Sequence, residues 1–156
     1  MNNGYDALRT RPLFAMRLSV DGFLTVGGPA GNERRVANVP GGSFEGARLR
    51  GEVLPGGSDW QTLRGDGAVL LDARIVLRTP DKALIAMTYA GVRRGAPEIM
   101  AQLGRGEPVD PAEYYFRITA RFETSHPDLD WLNTIIAIGV GERLPEGPSY
   151  VLHEIL

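Results

Sequence analysis

Apolar residues recur at every second position through most of this chain. Phe14, Met16, Leu18 and Val20 alternate with other residues, the period of a strand with one buried face. Asp21-Gly22 signals a hairpin turn, and Phe23 to Val26 returns antiparallel. Arg34 to Val39 is a short strand ended by Pro40-Gly41-Gly42, and Arg48 to Leu54 is another. Gly51, in its middle, has no side chain to pack and marks a bulge or sharp bend. Trp60 to Leu63 follows the Pro55-Gly56-Gly57 turn, and Gly65-Asp66-Gly67 leads into the longest strand, Ala68 to Thr79. Pro80-Asp81-Lys82 turns the chain into Ala83 to Val92. Tyr114 to Thr124, Ile135 to Arg143 and Ser149 to Ile155 complete the strands.

Helical signal is scarce. Pro97 to Leu103 carries an apolar face at Ile99, Met100 and Leu103. Asp110 to Glu113 starts a turn or helix, and His126 to Leu132 is a loop or a single helical turn. Met1 to Arg11 reads as an irregular lead-in. Roughly nine or ten short strands at regular spacing indicate an all-β protein. A meander of that length closes on itself to remove its edges. The expectation is a single up-and-down antiparallel β-barrel domain over residues 1–156, with one or two short helical segments.

Composition narrows the chemistry. A chain of 156 residues is the size of one domain. Cysteine is absent, which removes disulfides, thiol nucleophiles and Cys-based zinc sites, and fits a reducing cytoplasm. The net charge of −2, with both signs interspersed, gives no footprint for nucleic acid. No apolar run reads as a signal peptide or a membrane span. His126 and His153 lack metal-ligand spacing, the turn serines lack a nearby His, and no GxG string lies between a strand and a long helix. No metal and no cofactor is expected.

Strand alternation sorts the remaining polar residues into rows. Asp72, Arg74, Val76 and Arg78 share one face, opposite Leu71, Ala73, Ile75 and Leu77. Tyr115, Arg117, Thr119, Arg121 and Glu123 share another, opposite Tyr114, Phe116, Ile118, Ala120 and Phe122. Two assignments are open. Either the apolar rows fill the barrel and the charged rows face water, or the polar rows point inward around a ligand. The aromatic bodies with polar tips at Trp60, Tyr89, Tyr115 and Trp131 suit a small-molecule pocket. Asp59, beside Trp60 after a Pro-Gly-Gly turn, is a proton acceptor at a barrel mouth or a turn residue bonding its own backbone. Asp72 sits in mid-strand, where Asp is disfavoured, so catalysis or an ion pair with Arg74 or Arg117 would explain it. Tyr115, Arg117 and Glu123 would supply a donor, an anion clamp and a second carboxylate, and Tyr89 with Arg93 is a similar set. Trp131 would stop one barrel end, and Asn133 would orient a carbonyl or cap a turn.

The ordered string Gly42-x-Phe44-Glu45-Gly46, Gly51, Pro55-Gly56-Gly57-x-Asp59-Trp60, Asp66-Gly67, Leu71-Asp72-Ala73-Arg74, Gly91-Val92-Arg93, Tyr115-Phe116-Arg117, Trp131-Leu132-Asn133 and Gly141-x-Arg143 resembles domain-of-unknown-function family 3237, also known as uncharacterised protein family 0311. The resemblance runs from about Phe14 to Ile155 and implies a calycin-like barrel, without a settled reaction. One departure is Lys82, where the family's turn has Gly. Lys takes positive φ less cheaply, so a different turn type is expected there.

The functional expectation is a cofactor-independent isomerase, hydratase/lyase or cyclase acting on a small carbonyl or aromatic metabolite by general acid/base chemistry. Asp59, Asp72 and Tyr115 are its candidate catalytic residues. Trp60, Arg74, Tyr89, Arg93, Arg117, Glu123, Trp131 and Asn133 are candidate ligand contacts. The rivals are a lipocalin-like binding protein without chemistry and a solidly packed structural module. Apolar outer rows would also favour a homodimer or higher homo-oligomer.

Overall fold

Among the described residues, alternation carries through into eleven strands, joined in one sheet. The computed structural model describes residues 7–156. The strands are β1 (Thr10–Ser19), β2 (Phe23–Gly27), β3 (Asn32–Val39), β4 (Gly41–Glu45), β5 (Arg50–Val53), β6 (Gly57–Arg64), β7 (Val69–Arg78), β8 (Leu84–Gly95), β9 (Tyr114–Glu123), β10 (Ala137–Leu144) and β11 (Gly147–Ile155). One helix, α1 (Pro97–Gly104), and two 3-10 segments, Pro111–Glu113 and Pro127–Thr134, interrupt them. Among the described residues no helix is long and apolar enough to cross a membrane.

Eight of the strands close a ring, in the order β7, β8, β9, β10, β11, β1, β4 and β5, with every pairing antiparallel. The all-β barrel expected from the alternation is therefore the architecture. Its seam is thin: β5 pairs with β7 at Glu52↔Arg78 and Val53↔Leu77, and the Leu54 N–H adds one bond to the Val76 C=O at 2.9 Å. β6 takes the rest of the same β7 edge, from Leu63↔Val69 to Ser58↔Arg74. From β6 the sheet continues outward through β3 to β2, a three-stranded flap on the ring. Asp21 N–H to Asn38 C=O (3.3 Å) and Asn38 N–H to Gly22 C=O (3.2 Å) tie the flap to the segment after β1, which Val20 N–H to Glu146 C=O (2.9 Å) ties to the β10–β11 turn.

The apolar rows point inward. Leu71, Ala73, Ile75 and Leu77 of β7 and Phe116, Ile118, Ala120 and Phe122 of β9 are all buried. Their partners in alternation face out, because one barrel interior cannot hold both rows. Large apolar side chains fill one end of the barrel. Phe14 packs there tilted against Phe44 and edge-on to Phe122, with centroids 5.3 and 6.0 Å apart. Leu132 closes this end, fully buried.

Two local expectations change. The lead-in is shorter than Met1 to Arg11. Met1–Asp6 lies outside the described residues, and Thr10 and Arg11 already pair with Ile155 and Glu154. Arg11 and Arg48 both bond the buried Glu154 carboxylate, at 2.8 and 2.7 Å, which holds the chain start against the last strand. The turn after Thr79 does not switch type to spare Lys82. Lys82 sits at φ +68° in the left-handed region. Thr79 and Ala83 share the turn's hydrogen bonds, and Thr79 Oγ1 also bonds Asp81. Left-handed backbone costs a side-chain-bearing residue roughly 1 kcal/mol. Lys82→Gly is therefore expected to raise stability by about 0.5–1 kcal/mol, seen as a melting temperature a few degrees higher.

Candidate functional site

The opposite end of the barrel is polar. Asp59 and Gln61 point inward from β6, and their residues are only 5% and 6% exposed. They share parity, two residues apart on one strand. The β6–β7 ladder skips between Asp59↔Ala73 and Thr62↔Leu70. In that gap the Asp59 carboxylate takes the place of a backbone carbonyl. Its Oδ1 accepts from the Asp72 N–H at 3.0 Å. Its Oδ2 accepts from Gln61 Nε2 at 2.8 Å, and Gln61 Oε1 accepts from Arg35 Nε at 2.8 Å. Arg35 stands directly across from Gln61 on β3 and stacks on Phe23, 4.3 Å from the ring centroid.

The facing wall brings further groups. Tyr89 and Arg93 come from β8, Phe116 from β9, Arg143 from β10 and Tyr150 from β11. Gly141 makes room for Phe116, since a Cβ there would lie 2.7 Å from the ring. Phe116 in turn supports Arg93, whose guanidinium carbon lies 5.2 Å from the ring centroid. Tyr150 is fully buried and meets the rings of Tyr89 and Phe116 edge-on at 5.4 and 5.3 Å. The Arg143 N–H donates to Tyr114 Oη at 2.9 Å, and its Nη1 donates to Leu144 C=O at 2.6 Å.

These groups enclose a cleft with a free volume of about 20 Å³, space for one water molecule. Phe23, 40% exposed on the outermost strand β2, forms its most accessible wall.

Burial governs the electrostatics. Desolvation pushes the Asp59 carboxyl above the ordinary carboxylate range, against the lowering effects of Gln61, the Asp72 N–H and Arg93. Burial, with repulsion from Arg143 and Arg35, lowers Arg93 to about 10, so it stays charged at neutral pH. Arg35 and Arg143 are lowered for the same leading reason. Burial also raises Tyr89, Tyr114 and Tyr150, which keeps their hydroxyls protonated. Among the described residues there is no group of three or more side chains placed to hold a metal ion.

Of the residues singled out in the sequence, the fold gathers Asp59, Tyr89 and Arg93 at this cleft. The others are elsewhere. Asp72 and Arg74 are exposed on the outer face of β7, beside Thr119 and Arg121. Asp72 reaches the site only through its backbone N–H. Tyr115, Arg117 and Glu123 are exposed on the outer face of β9, because Tyr114 and Phe116 take the inward positions. The Tyr115 ring lies between the Arg94 and Arg117 guanidiniums, at 4.7 and 4.8 Å. Tyr115 and Arg117 line a groove of about 540 Å³ with Ile138 and Val140. That groove is wider than the interior cleft but mostly apolar, and its ionisable groups remain in water. Trp60 is 49% exposed and faces outward, as its place next to the inward Asp59 requires.

Trp131 is half-buried at the apolar end, with Arg48 4.2 Å over its ring, while its neighbour Leu132 forms the stopper. Asn133 bonds both backbone groups of Thr124, at 2.8 and 2.9 Å, and so clamps the 3-10 segment to β9. Arg35, Gln61, Arg143 and Tyr150 were not singled out. Parity with Asp59 signals Gln61, and parity with Gly139 and Gly141 signals Arg143. The inward phase of Leu152 and Glu154 signals Tyr150.

Comparison with known proteins places this geometry among relatives. The family described as "Protein of unknown function (DUF3237)" matches residues 8–155. A UPF0311 protein from Rhodopseudomonas palustris is 33% identical over 149 residues, covering 96% of this chain and 97% of its own. The crystal structure of a conserved protein of unknown function from R. palustris, also 33% identical, superposes with a TM-score of 0.91 over 97% of this chain and 99% of that one. A β-barrel-like protein from Acinetobacter baumannii is 35% identical with a TM-score of 0.84, over 99% of this chain and 100% of that one. A crystal structure described as an enzyme from Penicillium herquei, 20% identical, shares the fold at a TM-score of 0.76 over 100% of both chains.

Proposed function

The chain belongs to the DUF3237 family of uncharacterised barrels, and from that premise we propose that its polar end is an acid–base site acting on a small carbonyl-bearing or aromatic metabolite. The observation that carries this reading is a buried carboxylate, Asp59, with a raised pKa, facing buried cationic and phenolic donors across one cleft. Asp59, in its carboxylate form, would take a proton from the substrate. The negative charge that develops on the carbonyl oxygen would fall on Arg93 and Tyr150. Asp59 then returns the proton at another atom, or to a leaving group, giving an isomerase, lyase or cyclase outcome. Substrate would reach the cleft by displacing Phe23, the least buried wall. That one fold neighbour is described as an enzyme adds a precedent for catalysis on this barrel, from a distant relative.

Incubating the protein with a small-molecule extract and following the mixture by mass spectrometry tests this. At least one metabolite should be converted by the wild type and by the Trp60→Phe control, and not by Asp59→Asn. Conversion by Asp59→Asn at the wild-type rate would end the proposal. Because the Asp59 carboxyl is raised, the rate should fall with acid at a pH above the ordinary carboxylate range. A second reading is binding without turnover. It is favoured by the two hydrogen bonds that already engage both Asp59 oxygens. Co-purification of an unchanged ligand would support it.

A further inference from the structure

We propose that the molecule this cleft takes is a small organic carboxylate, and that the carbonyl oxygen facing Arg93 and Tyr150 belongs to its carboxylate group. This substrate class rests on the acid–base reading for its location.

Two buried polar groups in the cleft lack partners. Arg93 is 5% exposed and Tyr150 0%, and both line it. Arg93 Nε makes no hydrogen bond among the described residues, and Tyr150 Oη has only the Tyr89 hydroxyl beside it, without the geometry of a hydrogen bond. Buried donors are nearly always satisfied, and a buried charge without a partner is costly. Two such groups on one small cleft point to an acceptor supplied from outside the chain.

The charge of the site says which kind. Arg93 and Arg143 line the cleft with a single carboxylate, Asp59, and Arg35 stands behind Gln61 with Asp59 and Glu33 near it. None of the three arginines forms an ion pair among the described residues. Asp59 does not neutralise them at contact distance, since its oxygens are taken by Gln61 and the Asp72 N–H. Arg35 and Arg143 each bond a neighbour, whereas Arg93 has only the face of Phe116 beneath it. Its planar fork is therefore free to meet a planar anion edge-on. The cleft at rest has about 20 Å³ free, room for a water only, so a ligand enters as Phe23 is displaced. A planar carboxylate suits the flat aromatic and aliphatic walls better than a phosphate. A tetrahedral dianion would need donors on more sides, and would sit against the Asp59 charge.

Sodium acetate and sodium benzoate, titrated at constant ionic strength, test this, with acetamide and benzamide as neutral isosteres. Affinity is read by calorimetry, and the site by the Arg93 Nε–H resonance of the nitrogen-15-labelled full chain. At least one carboxylate should move that resonance saturably, and its amide should not. Tyr150→Phe should weaken carboxylate binding about tenfold, and Arg93→Met should weaken it more. Asp59→Asn should bind at least as tightly, because a like charge is gone. No saturable shift with either anion, equal binding of the amides, or unchanged affinity in both Tyr150→Phe and Arg93→Met would overturn the proposal. The Asp59 reading fails separately. Asp59→Asn that binds the carboxylate and still turns substrate over would remove the base and leave the anion site standing.

Discussion

Gly51→Ala is expected to remove about 3 kcal/mol of folding stability, lowering the melting temperature by roughly 6–12 °C. Gly51 has φ +156°, and a Cβ there would lie 2.0 Å from the Arg78 carbonyl oxygen and 3.0 Å from the Phe44 ring. Backbone cannot step aside as the tip of a flexible side chain can. The strand it belongs to, β5, is four residues long and joins β7 at two residue pairs. Pushing β5 outward therefore opens the ring at its weakest seam. Gly104→Ala is the control. It lies at the end of α1, where an added Cβ would meet nothing within 4 Å, and should be neutral or gain a few tenths of a kcal/mol. Equal melting of the two variants would show that the seam tolerates a side chain.

The sequence carried that seam only in part. A glycine in mid-strand is a local signal, and it was legible. That β5 and β6 divide one edge of β7 was not, because pairing between segments far apart leaves no mark on local alternation. The same division holds for the site. Parity alone separates inward from outward residues on β7 and β9, and long apolar rows decide which is which. The acid–aromatic neighbours Asp59 and Trp60 misled as a pair, since adjacent strand residues point to opposite faces. Tyr115 misled likewise beside the inward Tyr114. Arg93, Arg143 and Tyr150 meet only because β8, β10 and β11 are brought around the ring to one end. β8 lies some forty residues before the β10–β11 hairpin, and no common motif marks that meeting. What the sequence does offer is the oddity of a charged residue in an inward phase, at Asp59, Arg93 and Arg143.

Arg93→Met should stabilise the protein by roughly 1–3 kcal/mol at neutral pH, the direction opposite to that of most buried substitutions. Burial lowers Arg93 to about 10, so the folded state resists its charge. At about 1.4 kcal/mol per pKa unit this sets an upper bound of about 3 kcal/mol. Met keeps the contact with Phe116 and removes the unpartnered Nε. The sign with pH follows from linkage. A cation with a depressed folded pKa carries its penalty at every pH below about 10 and sheds it only above. The gain should therefore be flat from about pH 6 to 9 in urea unfolding.

Asp59→Asn should behave differently. The folded pKa of Asp59 is raised, so its contribution favours folding below the unfolded value and is lost as pH rises through the folded one. The difference between Asp59→Asn and wild type should thus move in favour of Asn across that window, and stay level above it. A group that costs stability in the resting protein is retained for something the resting protein does not do. If Arg93→Met instead unfolds at lower urea than wild type, Arg93 is a tie that holds the barrel end together, and the cleft loses its cationic donor as a functional group.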